Sequence, residues 1–388
     1  MTRTEDRRAF LKATAALAAA GMLPSTSLFA QDARARKYRT ERVVVVGFAG
    51  GVRTRDTLGA PNNIPHLMRI AKQGVTLPAV RSANLGHFGA GLAILTGVEG
   101  YAGIRENDRG DHPTFFEYLR KQLALPAGDV WLSATGGVQQ QNLASSYARD
   151  YGAKYGANVI SSDGVLNEEF RAVLRTFGEP RLPEGAEADA LAKMRGALAR
   201  SAKAQGVDAA DLNAPETLRS IETFLLEELK GATARLTGPG AGDAKTVRVA
   251  ANLFRAFKPR VLGVVLGQAD VAHTSYNAYV EVIRRNDEEL GRFWDLIQND
   301  RTLRETTSIF ILPEFGRNKD LNERNGLDHG DGSPDLNQVA LICAGPDFKK
   351  DKIVKIEART VDVCPTVCEL MGAKAEAAKG RILRDVFA

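Results

Sequence analysis

The stretch Arg42-Val-Val-Val-Val-Gly-Phe48, closed by Ala49-Gly50-Gly51, decides the fold. It is a short β-branched run with no polar face, ended by glycines. Such a run reads as a strand buried on both faces, as in a parallel sheet with helices on either side. The same signature returns at Asp129-Val-Trp-Leu-Ser133, Arg260-Val-Leu-Gly-Val-Val-Leu-Gly267, Thr307-Ser-Ile-Phe-Ile-Leu-Pro313 and Gln338-Val-Ala-Leu-Ile-Cys-Ala344. Between these runs the spacing turns helical, at Ile64 to Gln73, Gly89 to Leu95, Tyr276 to Asn299 and Thr360 to Met371. Pro113-Thr114 opens a further helix with proline in its first turn. Buried strands alternating with helices predict an α/β fold of three layers around a mostly parallel central sheet. The Ala-, Glu-, Arg- and Leu-rich stretch from Asn167 to Phe257 resembles a helical cap, an insertion over about 165–258. No short repeat interrupts the pattern.

Composition bounds the rest. With 388 residues, 44% of them apolar, the chain is long enough for one large core with an insertion. Charged residues make up 26%, and apolar runs continue to the end, which excludes a wholly disordered chain. Three cysteines exclude a disulfide scaffold. The net charge of +5 falls to +3 once residues 1–30 are set aside, because that segment holds Arg3, Arg7, Arg8 and Lys12 against Glu5 and Asp6. So small and dispersed a surplus does not point to a nucleic-acid partner.

Residues 1–30 read as an export signal. Arg7-Arg8 followed by Phe10-Leu11-Lys12 is the twin-arginine pattern, ahead of a mildly apolar stretch and a small-residue exit at Ala30. The apolar stretch from Ala13 to Leu23 is far short of the ~20 residues that span a bilayer. The expectation is therefore a periplasmic or secreted protein with no stable membrane span. It would engage the twin-arginine export machinery, with a linker over 31–41 and one α/β domain over 42–388.

In open α/β sheets, ligands bind beyond the carboxyl ends of the strands. After the first strand stand Ala49, Gly50 and Gly51. After the strand ending near Leu266 stand Asp270 and His273, and after Leu312 stand Glu314, Phe315 and Gly316. The loop Leu327-Asp-His-Gly-Asp-Gly332 carries Asp328, His329 and Asp331. Two of the five histidines thus fall in loops beside carboxylates. Residues of this kind, converging at a sheet edge, can build a metal site from distant sequence. Hydrogen-bonded polar loop residues would give the same pattern.

Several ordered segments resemble the alkaline phosphatase superfamily, over roughly 42–132 and 262–388. Asn62-Asn-Ile-Pro-His-Leu-Met-Arg-Ile-Ala-Lys-Gln-Gly-Val75 is similar to the family's Pro-Asn-Leu-x-x-Leu-Ala-x-x-Gly stretch. Gly91-Leu-Ala-Ile-Leu-Thr-Gly97 resembles the helix after its nucleophile. Asp270-Val-Ala-His273 stands for Asp-x-x-x-His, one residue short, and Pro313-Glu-Phe-Gly-Arg317 stands for the Asp-His-Gly segment. Asp328-His-Gly330 holds the place of the last metal histidine, and Gly380 to Ala388 resembles the closing segment.

The resemblance implies two metal ions about 4 Å apart. It also implies that this pair is degenerate here. The first-strand aspartate position is Ala49, the nucleophile position is His87, and the Asp-His pair is Glu314-Phe315. Asp270, His273 and His329 are what remains of the other site, with Glu314 left from the first. That implies one divalent ion, zinc before manganese, calcium or magnesium. His87 would be a third nitrogen ligand, a general base or a phosphoryl acceptor, or else a ring that caps its helix. The implied activity is a single-metal hydrolase of small phosphate or sulfate esters. The alternative is a catalytically inactive periplasmic binding or scaffold protein.

Other motifs weigh less. The run from Val43 to Gly51 lacks the G-x-G-x-x-G spacing of a dinucleotide fold. Gly238-Pro-Gly-Ala-Gly242 lacks the lysine and hydroxyl of a phosphate loop and reads as a turn. Cys364 and Cys368 read as small buried residues. Arg317 and Asn318 are either holders of an anionic substrate or solvated loop residues.

Overall fold

The computed structural model describes residues 37–105, 108–135, 142–161 and 236–388. The expected export signal, most of the expected linker and most of the expected insertion lie outside the described residues.

The strands are β1 (Arg42–Phe48), β2 (Gly74–Arg81), β3 (Val130–Ala134), β4 (Asn158–Ser161), β5 (Val261–Leu266), β6 (Thr307–Pro313), β7 (Gln338–Ala344), β8 (Lys352–Ile353) and β9 (Ala358–Arg359). The main helices are α1 (Pro65–Lys72), α2 (His87–Thr96), α3 (Phe115–Gln122), α4 (Ala241–Phe257), α5 (Tyr276–Asn299), α6 (Arg301–Thr306), α7 (Pro334–Asn337) and α8 (Val363–Met371). One sheet runs β4-β3-β5-β1-β6-β7-β2-β8, with β9 also on β2. Only β7 pairs antiparallel with its neighbours, β6 and β2; every other pairing is parallel.

β1 shows why the layers form. Its side chains alternate between faces. Val43 and Val45 join the core under α2, α3 and α8, while Val44, Val46 and Phe48 join the core under α1, α4 and α5. A strand with two apolar faces requires cover on both, and the helices supply it. The expected three-layer α/β fold is present.

The structure also differs from the sequence reading in places. Helix α4, grouped above with the insertion, packs its buried face (Val247, Ala250, Leu253, Phe254) on the sheet as an integral layer element. Its first residue follows Gly238 and Gly240, both at positive φ, so that glycine-rich segment is a turn. Pro113 lies outside the first turn of α3. Thr114 is the N-cap and closes a capping box with the fully buried Glu117. β2 was hidden by Pro78, which its ladder accommodates at a register shift between Leu77 and Val80.

Register positions the site. Phe48 pairs with Leu266 on one side and Pro313 on the other. The three central strands therefore end level, and the segments after them start side by side. Gly50 lies so close to the next segment that a Cβ there would stand 2.4 Å from the Asp270 amide nitrogen. Only glycine allows that approach.

Candidate functional site

Four segments meet at this rim. Residues Gln268–His273 form a 3-10 turn directly after β5 and carry Asp270 and His273. Glu314 and Phe315 follow β6. His329 sits on a loop tied back to the chain after β6: the Asn318 side-chain oxygen accepts from the Gly330 and Asp331 amides, and the Asn318 amide donates to the Asp328 carbonyl. His87 is the first residue of α2, whose N-cap, Gly86, offers no side-chain cap. The helix starts on its own unpaired amides, with the positive end of its dipole toward the rim.

His87 is held between two acids. Its Nδ1 lies 2.5 Å from Glu314 Oε1 and its Nε2 lies 3.1 Å from Asp270 Oδ1. Burial opposes a charged ring here, but the hydrogen bonds to Asp270 and Glu314 outweigh it and raise His87 to about 10. Glu314 is 2% exposed, and burial pushes its carboxyl up to about 8 against the pull of His87. Glu314 Oε2 is buried without a hydrogen-bond partner, as suits the protonated oxygen of a neutral acid better than a carboxylate. Asp270 goes the other way. Its burial is outweighed by hydrogen bonds from His87 and Arg317, which hold it well below the usual carboxylate range.

His273 donates from Nδ1 to Asp328 Oδ1 at 2.7 Å, and its Nε2 lies 3.0 Å from Arg317 Nη1. A guanidinium can only donate, so Nε2 is the acceptor and the tautomer is fixed. His329 stands between the other rings, its centroid 4.9 Å from His87 and 5.1 Å from His273. Desolvation, then the positive charges of His87 and Arg317, push His329 down to about 4. Phe315, fully buried, stands where the resemblance expects a metal histidine, 4.9 Å from the His87 ring and 5.1 Å from that of His329.

All five expected residues, His87, Asp270, His273, Glu314 and His329, are thus brought to one rim. His87, His273 and His329 have ligand atoms within 4.8 Å of one another. For two of the residues it named, Asp328 and Arg317, sequence reasoning missed the role. Asp328 orients His273, and its place beside His329 in the Asp-His-Gly run was the available signal. Arg317 is neither a solvated loop residue nor a holder of substrate. Its side chain is fully buried, and all five of its N–H groups have acceptors. Nε donates to the Gly50 carbonyl (3.0 Å) and Nη1 to the Leu327 carbonyl (3.1 Å) and His273 Nε2. Nη2 donates to the Gly50 carbonyl and to Asp270 Oδ1 (2.5 Å).

This geometry tests the implied ions. Ala49 and Phe315 offer no ligand atom to the first. The second would need the Nε2 lone pair of His273, which has one lone pair and gives it to Arg317. A zinc ion bound about 2.0–2.1 Å from that nitrogen would have to take the space of the guanidinium N–H. As placed, these residues do not fit either ion.

No family model matches the chain, and neither does any curated protein. Solved structures do. A substituted form of the alkaline phosphatase PafA aligns with 90% of this chain and 99% of its own at 11% identity, with a TM-score of 0.58. The wild-type PafA structure gives 0.55 over the same shares. The lipoteichoic acid synthase LtaP from Listeria monocytogenes gives 0.51 at 9% identity, over 88% of this chain and 74% of its own. These structural neighbours show that the chain has the fold of the alkaline phosphatase superfamily.

Proposed function

We propose that this chain is an exported, periplasmic or secreted protein that hydrolyses small phosphate or sulfate esters at the rim, with His87 as the group that moves the proton. One observation carries the reading: at the start of α2, in the nucleophile position of the resemblance, an imidazole is fixed through Nδ1 by the buried Glu314 and presents Nε2 at the rim beside Asp270. An oriented, charged imidazole at a helix N-terminus suits an anionic ester and its leaving oxygen.

The reaction follows from that placement. Water attacks phosphorus or sulfur, and the bond to the leaving oxygen breaks. That oxygen takes the proton from His87 Nε2, and the proton lost by the attacking water returns to the ring. Glu314 keeps the ring aligned throughout. Asp270, His273 and His329 line the rim. The His273 lone pair that the expected divalent ion, zinc first, would need is engaged by Arg317.

The other reading, an inactive binding or scaffold protein, is favoured by the loss of a ligand at Ala49 and at Phe315. One preparation separates the two. The mature protein is purified without chelators, and aryl phosphate, phosphodiester and aryl sulfate are offered to it and to His87→Gln. Turnover lost on that substitution supports the hydrolase. Saturable binding with no turnover supports the binding protein and overturns the catalytic role. Among the described residues no helix is long and apolar enough to cross a membrane. Export is tested by Arg7→Lys with Arg8→Lys, which is expected to leave the chain in the cytoplasm.

A further inference from the structure

We infer that the Arg317 guanidinium has taken over the structural task of the metal in this fold: a cation built into the chain ties the rim together. In a metal centre made from separate loops, the ion's second task is to join those loops by binding one atom from each. Arg317 does this here with hydrogen bonds. It bonds the segment after β1 through the Gly50 carbonyl, the turn after β5 through Asp270 and His273, and the loop before His329 through the Leu327 carbonyl. Two of these partners, Asp270 Oδ1 and His273 Nε2, belong to the residues expected to ligate the ion.

The arrangement is saturated. Every guanidinium N–H has an acceptor, and the three carbonyl contacts would hold the group in place whatever Asp270 and His273 did. A planar fork with five donors reaches four separate acceptor groups in a way that a lysine ammonium, with three, does not. The close approaches that bring the loops into range need glycine: besides Gly50, a Cβ on Gly326 would stand 2.4 Å from the Ala272 carbonyl oxygen. Arg317 touches no open surface and has no N–H left for substrate, so it is a positioning residue. The inference goes beyond the proposed hydrolysis and does not depend on it, since a binding protein would use the same tie.

Cobalt(II) titration of the untagged full chain, after chelator treatment, tests this directly. Wild type is expected to show no ligand-field absorption from bound cobalt and no change in melting midpoint with chelator or added zinc. Arg317→Met is expected to free His273 Nε2 and Asp270 Oδ1 and to bind about one equivalent of cobalt, and Arg317→Met with His273→Ala is expected to lose it. The inference is overturned if wild type itself binds an equivalent of cobalt whose spectrum disappears in His273→Ala. It is equally overturned if a folded Arg317→Met gains no cobalt. The wild-type titration decides even if Arg317→Met does not fold. Turnover, the readout of the proposed activity, plays no part in either outcome.

Discussion

At the scale of single residues, the rim turns on how His87 is held. A group that donates a proton works only while it is charged, so turnover should fail as pH rises through its pKa. Two acids raise His87 to about 10. Glu314→Gln removes one of them and keeps the shape, so the alkaline limb of the rate profile should move to lower pH. His87→Gln should cost about 10²–10⁴-fold in turnover at pH values where the wild-type ring is charged. A limb that stays put in Glu314→Gln would show that the ring is not the acid. Asp270, His273 and Glu314 were legible because each follows a strand, and His329 because its loop precedes one, places that patterning fixes; His87 was legible only through the family resemblance. Arg317 and Phe315 were not legible in the same way. Their roles depend on which atoms lie opposite them, and those atoms come from loops far away in the chain, such as Gly50 and Leu327.

At the scale of elements, the rim depends on strands ending level and on loops that touch backbone to backbone. Gly50→Ala tests this coupling. The added Cβ would meet the Asp270 nitrogen at 2.4 Å and the Ala269 carbonyl carbon at 2.7 Å, both backbone atoms that cannot swing aside. The two segments would have to part, shifting a carbonyl that accepts two bonds from Arg317. A loss of about 1–3 kcal/mol by denaturant unfolding is expected, and unchanged stability would mean that the loops are slack. Most elements could be read from periodicity, as Tyr276–Asn299 shows by matching its expected bounds. The exceptions have local causes. Pro78 breaks the pattern of β2, four-residue β4 is too short to show one, and α4 shares its composition with the stretch before it.

For the whole molecule, the opposed titrations at the rim set how stability varies with pH. His329 is pushed down to about 4, so between about pH 4 and 6.5 the unfolded chain binds a proton that the folded one does not, and its contribution to stability rises with pH. Glu314 is pushed up to about 8 and holds its proton in the folded state above the usual carboxyl range, so its contribution falls from about 4.5 to 8. His87, raised to about 10, contributes fully below about 6.5 and loses that contribution as pH climbs to 10. The carboxyls of Glu117, Asp243 and Asp287, raised by burial, act in the same direction as Glu314. Below pH 6.5 the effects of His329 and Glu314 oppose each other, whereas above it Glu314 and His87 both pull downward. Stability should therefore decline from near pH 6.5 toward 10, most steeply up to 8, where the windows of Glu314 and His87 overlap. Denaturant midpoints at a series of pH values would measure the decline. His87→Gln should flatten it between about pH 6.5 and 8, because the substituted side chain does not titrate; Glu314, freed from the charge that pulls it down, keeps its own share of the decline and carries it above pH 8. Wild-type and His87→Gln curves that run parallel from pH 6.5 to 8 would show that the ring is not held charged by its two acids.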